Sequence, residues 1–124
     1  MPKIIITALI CLFLVACAST SEPVKSTRKT SKPNLKEASE LNTELAIGYI
    51  NQKQYKPARD KLEKAIEQNS ENIKAYKTLA YLYALVGLTE EAEIKYSEAL
   101  ELSPDDPDLS RYYGIFLYNT GKYD

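Results

Sequence analysis

The chain has 124 residues, enough for one small domain, and its charge is nearly balanced, with 16 Lys and Arg against 17 Asp and Glu. This balance disfavours nucleic-acid binding, which needs a basic surface. The chain has no His, and its two Cys stand at positions 11 and 17, so the remainder has no Cys/His zinc site and few candidate catalytic residues. The composition therefore predicts a protein that is not an enzyme and uses no metal or cofactor.

The first 16 residues have the features of a signal peptide. Lys3 supplies a positive charge, and the apolar run at 4–15 is too short to span a membrane, which takes about 20 helical residues. The run ends in Leu14-Val15-Ala16-Cys17, which resembles a bacterial lipobox. The resemblance implies cleavage after residue 16 and attachment of acyl chains such as palmitate to the Cys17 sulfur. An ordinary signal peptide with an incidental Cys is the alternative.

Residues 17–33 are predicted to form the lipidated Cys and a disordered tether. Residues 18–33 contain seven Ser or Thr, two Pro and a single sizeable apolar side chain, Val24, which is too little apolar surface to fold. Their net charge of +3 leaves two alternatives open, contact with anionic head groups or a solvated spacer. Ala18 stands where inner-membrane lipoproteins tend to carry Asp, and this implies sorting to the periplasmic face of the outer membrane.

Residues 34–124 repeat with a period of 34 residues. The matching sets are Leu45, Leu79 and Tyr113; Ala46, Ala80 and Gly114; Tyr49, Tyr83 and Leu117; Ala58 and Ala92; Leu62 and Tyr96; Ala65 and Ala99; Gly87 and Gly121. The pattern resembles the tetratricopeptide repeat, a helix–turn–helix unit of that length. The resemblance implies an all-α solenoid with full repeats at about 39–72 and 73–106 and the first helix of an incomplete third repeat at 107–124.

The turn signals predict five helices, at about 35–52, 55–69, 73–86, 89–102 and 107–120. Asp106 before Pro107 offers a side-chain N-cap followed by proline at the first helical position. Thr89 with the glutamates after it, and more weakly Ser70 with its following glutamate, predict two other helix starts. Small residues at Ala46 and its equivalents are expected to let paired helices approach closely. An antiparallel bundle with chance periodicity is the competing fold.

The third repeat lacks its second helix within this sequence. Solenoid repeats cover one another's apolar faces, and about three repeats with a polar cap are normally needed for stability. We therefore expect either that the sequence is a fragment of a longer chain, or that a partner or a second copy covers repeat three.

Two segments extend the resemblance to the type IV pilus biogenesis lipoproteins, the PilF/PilW or pilotin family. Residues 45–50, Leu-Ala-Ile-Gly-Tyr-Ile, resemble the family's opening Leu-Gly-Leu-Gly-Tyr-Leu helix. Residues 113–117, Tyr-Gly-Ile-Phe-Leu, resemble its Asn-Asn-Tyr-Gly-x-Phe-Leu segment, although Arg111 and Tyr112 replace the paired Asn. The resemblance implies a non-enzymatic scaffold that helps the pilus secretin to localise and assemble.

The same resemblance places partner binding in the concave groove lined by the first helix of each repeat. The candidate groove residues are Ile47, Ile50, Asn51, Lys77, Tyr81, Leu85, Arg111, Ile115 and Tyr118. Tyr side chains would anchor an extended or helical apolar peptide, and the two cations would take a carboxylate. The alternatives are that the aromatic residues belong to the core between repeats and that the cations lie on a solvated face.

Two other classes of function stay open. A repeat lipoprotein of this kind could serve as an adaptor for another cell-envelope complex, such as cell-wall enzymes or outer-membrane assembly. An enzyme would have to rely on Ser, Lys and carboxylates, and no motif in the sequence organises these residues.

Overall fold

The computed structural model describes residues 34–122, and this part of the chain is built from five α-helices joined by short turns. The helices are α1 (Leu35–Asn51), α2 (Tyr55–Gln68), α3 (Ile73–Leu85), α4 (Thr89–Leu102) and α5 (Pro107–Thr120). Each helix end lies within one residue of its predicted position. Within these residues, no helix is both long enough and apolar enough to cross a membrane.

The helices form two hairpins and a fifth helix that follows them. α1 packs along α2 and α3 along α4, while α2 contacts α3 and α4 contacts α5. One core cluster joins the first three helices, through Ala46, Ala58, Leu62, Ala65, Ala75, Leu79 and Leu82. A second joins the last three, through Ala80, Ala92, Tyr96, Ala99, Leu109 and Phe116. The half-buried Tyr83 packs against both clusters and links them into one core.

The small residues behave as the periodicity predicts in the first two repeats. Ala46, Ala58, Ala80 and Ala92 have no exposed surface, so the helices approach closely at these points. Gly114, the equivalent of Ala46 and Ala80, is exposed, and a Cβ built on it would meet no atom within 4 Å in the described structure. The reason is that no helix in residues 34–122 lies against that face of α5. The predicted covering of repeat three by a partner or a second copy stays a prediction.

Side chains begin three of the five helices. Asp106 caps α5 as predicted, its Oδ1 accepting from Leu109 N at 2.9 Å, and Pro107 is the first helical residue. The prediction of Ser70 as the start of α3 was wrong, because Asn72 is the N-cap and accepts from Ala75 N at 3.0 Å. Thr89 is the first helical residue of α4, and the position before it makes no side-chain cap.

The turn after the first helix of each repeat uses a left-handed residue. Gly87 and Gly121, one period apart, have φ values of 82° and 72°. Lys53 occupies the equivalent place in repeat one with φ of 59°, although it has a side chain. A residue with a Cβ is strained in this region by roughly 1–2 kcal/mol, whereas glycine adopts it freely. The sequence therefore places a less favourable residue at the first of three equivalent turns.

Lys53→Gly is expected to stabilise the protein by about 0.5–1 kcal/mol, since it relieves this strain. The matched control is Lys64→Gly, at an exposed position inside α2, where glycine should cost about 1 kcal/mol in helix propensity. Urea denaturation followed by circular dichroism measures both changes. Effects of the same sign in the two variants would contradict the assignment of strain to Lys53.

Candidate functional site

A groove of about 730 Å³ lies between the first helices of the repeats. One wall is the second half of α1, another is the face of α3 that carries Lys74, Lys77 and Tyr81, and a third is the beginning of α5. Tyr96 of α4 lies at the bottom of the groove. The lining residues are Ile47, Ile50, Asn51, Ile73, Lys74, Lys77, Thr78, Tyr81, Tyr96, Asp106, Asp108 and Tyr112. Five of the nine predicted groove residues, from Ile47 to Tyr81 in chain order, are therefore brought together here.

A second hollow of about 460 Å³ continues from the groove along α3 and α5. It contains two further predicted residues, Leu85 and Ile115, both about half exposed. Tyr81, Tyr96 and Tyr112 line both spaces and form the boundary between them. The predicted single groove is thus a surface with two compartments separated by tyrosine rings.

Two predicted groove residues line neither compartment. Tyr118 is 72% exposed on α5, outside both sets of lining residues. Arg111 forms an ion pair with Asp108, with Nη2 2.9 Å from Oδ1, and its guanidinium carbon lies 5.0 Å from the centre of the Tyr112 ring. These contacts hold Arg111 beside the groove and give its charge a partner within the chain.

The cations of the groove differ in how far their charge is compensated. Lys74 is paired with Glu44 across the gap between α3 and α1. Lys77 has no carboxylate partner among residues 34–122, and its Nζ lies 5.5 Å from the centre of the Tyr112 ring. Tyr112 is therefore flanked by two cations, of which Lys77 keeps its charge available to a ligand.

Tyr96 forms the floor of the groove and is only 2% exposed. Burial raises its pKa to about 12, and the neighbouring Tyr81 and Tyr112 contribute in the same direction. The phenol is therefore neutral at physiological pH, and the groove presents aromatic surface at its centre. Two charged side chains that line it, Lys77 and the helix-capping Asp106, have no ion-pair partner among residues 34–122. Neither Tyr96 nor Tyr112 was predicted from the sequence to line the groove. The unusual number of tyrosines, 10 in the chain, was the only signal that could have pointed to them.

Two other features bear on the predicted sites. Cys17 lies outside the described residues, as does all of 1–33, for which a signal peptide and a tether are predicted. Within 34–122, no group of three or more His, Cys, Asp or Glu side chains is placed to hold a metal ion.

The chain resembles proteins of known and unknown function. No protein-family model matches it. An uncharacterised protein of Haemophilus influenzae is 28% identical over 109 residues, which make up 88% of this chain and 56% of that protein. PilF of Pseudomonas aeruginosa superimposes with a TM-score of 0.69 and 26% identity, over 72% of this chain and 40% of the PilF chain. The chain thus spans about half the length of these relatives.

Two more distant structures share the fold. The first TPR domain of Spaghetti, bound to an HSP90 peptide, has a TM-score of 0.61 and 23% identity over 67% of this chain and 66% of that domain. A mutant of MamA has a TM-score of 0.59 and 24% identity over 72% of this chain and 67% of its own. These similarities confirm the predicted all-α tetratricopeptide-repeat solenoid and the predicted resemblance to PilF. The fold is that of protein–protein interaction adaptors.

Proposed function

We propose that the chain is a non-enzymatic scaffold of the outer membrane that helps the type IV pilus secretin to localise and assemble. The groove between α1, α3 and α5 binds a segment of the secretin or of another envelope protein. The resemblance to PilF supports this choice of client, and it covers 40% of the PilF chain. The groove itself, with its aromatic floor and uncompensated Lys77, is the observation that carries the binding role.

The chemistry of the groove favours a peptide with an apolar side chain next to a carboxylate. Ile47, Ile50 and Tyr81 provide apolar surface, and tyrosine is enriched among residues that dominate binding energy. Lys77 can form a charge-assisted hydrogen bond to an incoming carboxylate, because none in the described chain engages it. The HSP90 peptide bound to Spaghetti, Ser-Arg-Met-Glu-Glu-Val-Asp, combines apolar and acidic residues of this kind.

The membrane part of the proposal depends on residues 1–33. Lipid attached at Cys17 would hold the domain at the membrane, and two or more acyl chains make such anchoring stable. The 16 residues at 18–33 reach about 50 Å when fully extended, so the groove could meet a partner well away from the bilayer.

The test is the assembly state of the secretin in outer membranes of cells with and without this gene. We expect the heat-resistant secretin multimer to be lost without the gene and restored by the wild-type chain. Cys17→Ala should fail to restore it, since the protein would no longer be anchored.

The groove is tested in the same assay by Tyr81→Ala combined with Lys77→Ala. We expect this variant to be anchored and folded but to restore little multimer. Loss of about 1.4 kcal/mol of binding free energy already weakens binding about tenfold. The control is Lys64→Ala with Ile94→Ala, which removes one exposed cation and one exposed apolar side chain outside the groove. Equal multimer levels with both double variants would refute the groove assignment.

An unchanged multimer in cells lacking the gene would refute the secretin role. The second candidate, an adaptor for cell-wall enzymes or for outer-membrane assembly, would then be preferred. The tetratricopeptide-repeat fold favours that adaptor function independently of the pilus.

A further inference from the structure

The outward face of α1 carries an apolar stripe at positions that are packing positions in the other repeats. The stripe consists of Leu41, Leu45 and Gly48. Leu41 is 61% exposed and Leu45 is 43% exposed. Gly48 is half-buried, and a Cβ built on it would meet no atom within 4 Å. The face is therefore open in the described structure, with a notch at Gly48.

The equivalent stripes of α3 and α5 are covered. In α3 the equivalents are Ala75, Leu79 and Leu82, all buried in the cluster that contains Ala58, Leu62 and Ala65 of α2. In α5, Leu109 and Phe116 are buried in the cluster that contains Ala92, Tyr96 and Ala99 of α4. In both cases the covering helix presents a small, a large and a small residue at i, i+4 and i+7. A helix with this stripe is therefore the template for what could cover α1.

The charge beside the stripe restricts which helix can bind. Glu37, Glu40 and Glu44 lie along α1 at i, i+3 and i+7, and together with Leu41 they line a hollow of about 550 Å³. Glu44 is paired with Lys74, whereas neither Glu37 nor Glu40 has an ion-pair partner among residues 34–122. An incoming helix that carries Lys or Arg next to its apolar stripe would compensate these charges.

We propose that the outward face of α1 binds an amphipathic helix of a partner protein, with a small–large–small apolar stripe flanked by basic residues. This surface is distinct from the groove between α1, α3 and α5 but adjoins it, because Lys74 lines both the groove and the hollow beside the stripe. A large side chain of the partner occupies the notch at Gly48, where the equivalent positions in α3 and α5 carry Leu82 and Phe116. Pairing of two α1 faces from two copies is disfavoured, because it would bring the rows of glutamates together.

The probes are two hydrocarbon-stapled, fluorescein-labelled helices. The acidic probe has the sequence of α4, Thr89–Leu102, which contains the template stripe and five glutamates. The basic probe has the same sequence with the glutamates replaced by lysine. The full chain is held in nanodiscs of phosphatidylcholine, which carry no net charge, and binding is measured by fluorescence anisotropy. We expect the basic probe to bind at least tenfold more tightly than the acidic one.

Three variants with matched controls locate the site. Leu41→Gln with Leu45→Gln should weaken binding of the basic probe at least tenfold. It should not unfold the chain, because both side chains are exposed. The control, Ile94→Gln with Leu102→Gln, changes an exposed apolar pair on α4 and should leave binding unchanged. Gly48→Leu fills the notch and should also weaken the probe at least tenfold. Glu37→Lys with Glu40→Lys should abolish the preference for the basic probe. The control, Glu101→Lys with Asp105→Lys, changes the net charge equally and should preserve that preference.

Several outcomes overturn the proposal. One is equal binding of the two probes, or no binding of either. Another is a loss of binding that is the same in the α1 variants and in their controls, which would show non-specific attraction. A third is a dimer in sedimentation that dissociates in the Leu41→Gln, Leu45→Gln variant, because the face would then be a contact between copies of this chain.

Discussion

Replacing Tyr96 by alanine is expected to lower the free energy of unfolding by about 3–5 kcal/mol and to detach α5 from the rest of the domain. The Tyr96 ring lies 5.4 Å from that of Tyr113 and 5.3 Å from that of Phe116, measured between centroids. Its 2% exposure shows that nearly all of its surface is in contact with other residues. Since the aromatic cluster forms the contact between α4 and α5, the cavity would open at that contact.

The expected shift is large compared with the total stability of a small domain, which is about 5–15 kcal/mol. Thermal denaturation should show a decrease in Tm of more than about 12 °C, given about 4–8 °C per kcal/mol for a domain of this size. Relative to the wild type, backbone hydrogen exchange in the variant should accelerate more in α5 than in α1 and α2. The control is Tyr112→Ala, at an exposed tyrosine of α5, which should cost about 1 kcal/mol or less. Similar losses in both variants would show that the Tyr96 ring does not hold α5 in place.

Tyr96→Phe separates the ring from the hydroxyl. The ring contacts remain, so stability at pH 7 should change by less than about 1.5 kcal/mol. The pKa of Tyr96 is raised to about 12, above the usual value of 10.0, so the folded chain holds this proton more tightly than the unfolded chain. The resulting stability is complete below pH 10 and is lost as the pH rises from 10 to 12. Tyr96→Phe should therefore lose less stability than the wild type over that pH range.

The sequence predicted the helices well because two independent signals agreed. The spacing of small and large residues at 34 residues fixed the helix faces, and turn residues such as Asp106 fixed the ends. Ala46 and its equivalents in the first two repeats are buried as expected, because a helix pair without large side chains at its contact can come close together. Gly114 differs because the described structure places no helix opposite it.

The groove was predicted in part, and the differences have physical causes. Repeat positions identify which side of a helix faces the groove, so Ile47 and Tyr81 were found from the pattern. They do not show which charges are compensated, and for this reason Lys77 and Arg111 could not be distinguished until Asp108 was seen to pair with Arg111. Tyr96 belongs to a second helix, whose residues the pattern assigns to the core, yet it reaches the groove floor from below.

The role of Asn72 was also missed, because its hydrogen bonds connect residues far apart in the sequence. Its Oδ1 caps α3 through Ala75 N, and its Nδ2 donates to Ser39 Oγ at 2.8 Å and to Thr43 Oγ1 at 3.1 Å. The Ser39 hydroxyl in turn donates to the carbonyl of Ala65 at 2.6 Å. The buried Asn72 amide thus connects α1 with α3, and the Ser39 hydroxyl extends the network to α2. The simple capping pattern at Ser70 could not indicate this function.

Asn72→Ala is therefore expected to lower the free energy of unfolding by about 3 kcal/mol, the sum of a lost cap of about 1 kcal/mol and two buried hydrogen bonds of about 1 kcal/mol each. Urea denaturation at pH 7 measures the change. The matched control is Asn69→Ala, which removes one exposed side-chain hydrogen bond, from Glu71 N at 3.1 Å, and should cost less than about 1 kcal/mol.

A double-mutant cycle with Ser39→Ala distinguishes the polar network from the cap. If the amide and the hydroxyl stabilise each other, the double variant should lose less than the sum of the two single variants, by roughly 1 kcal/mol. Strict additivity would mean that the bond to Ser39 adds nothing, and that Asn72 acts through the start of α3 and its bond to Thr43. Coupling would instead show that α3 is fixed to the first hairpin by this amide, and with it the side of the groove that carries Lys77 and Tyr81.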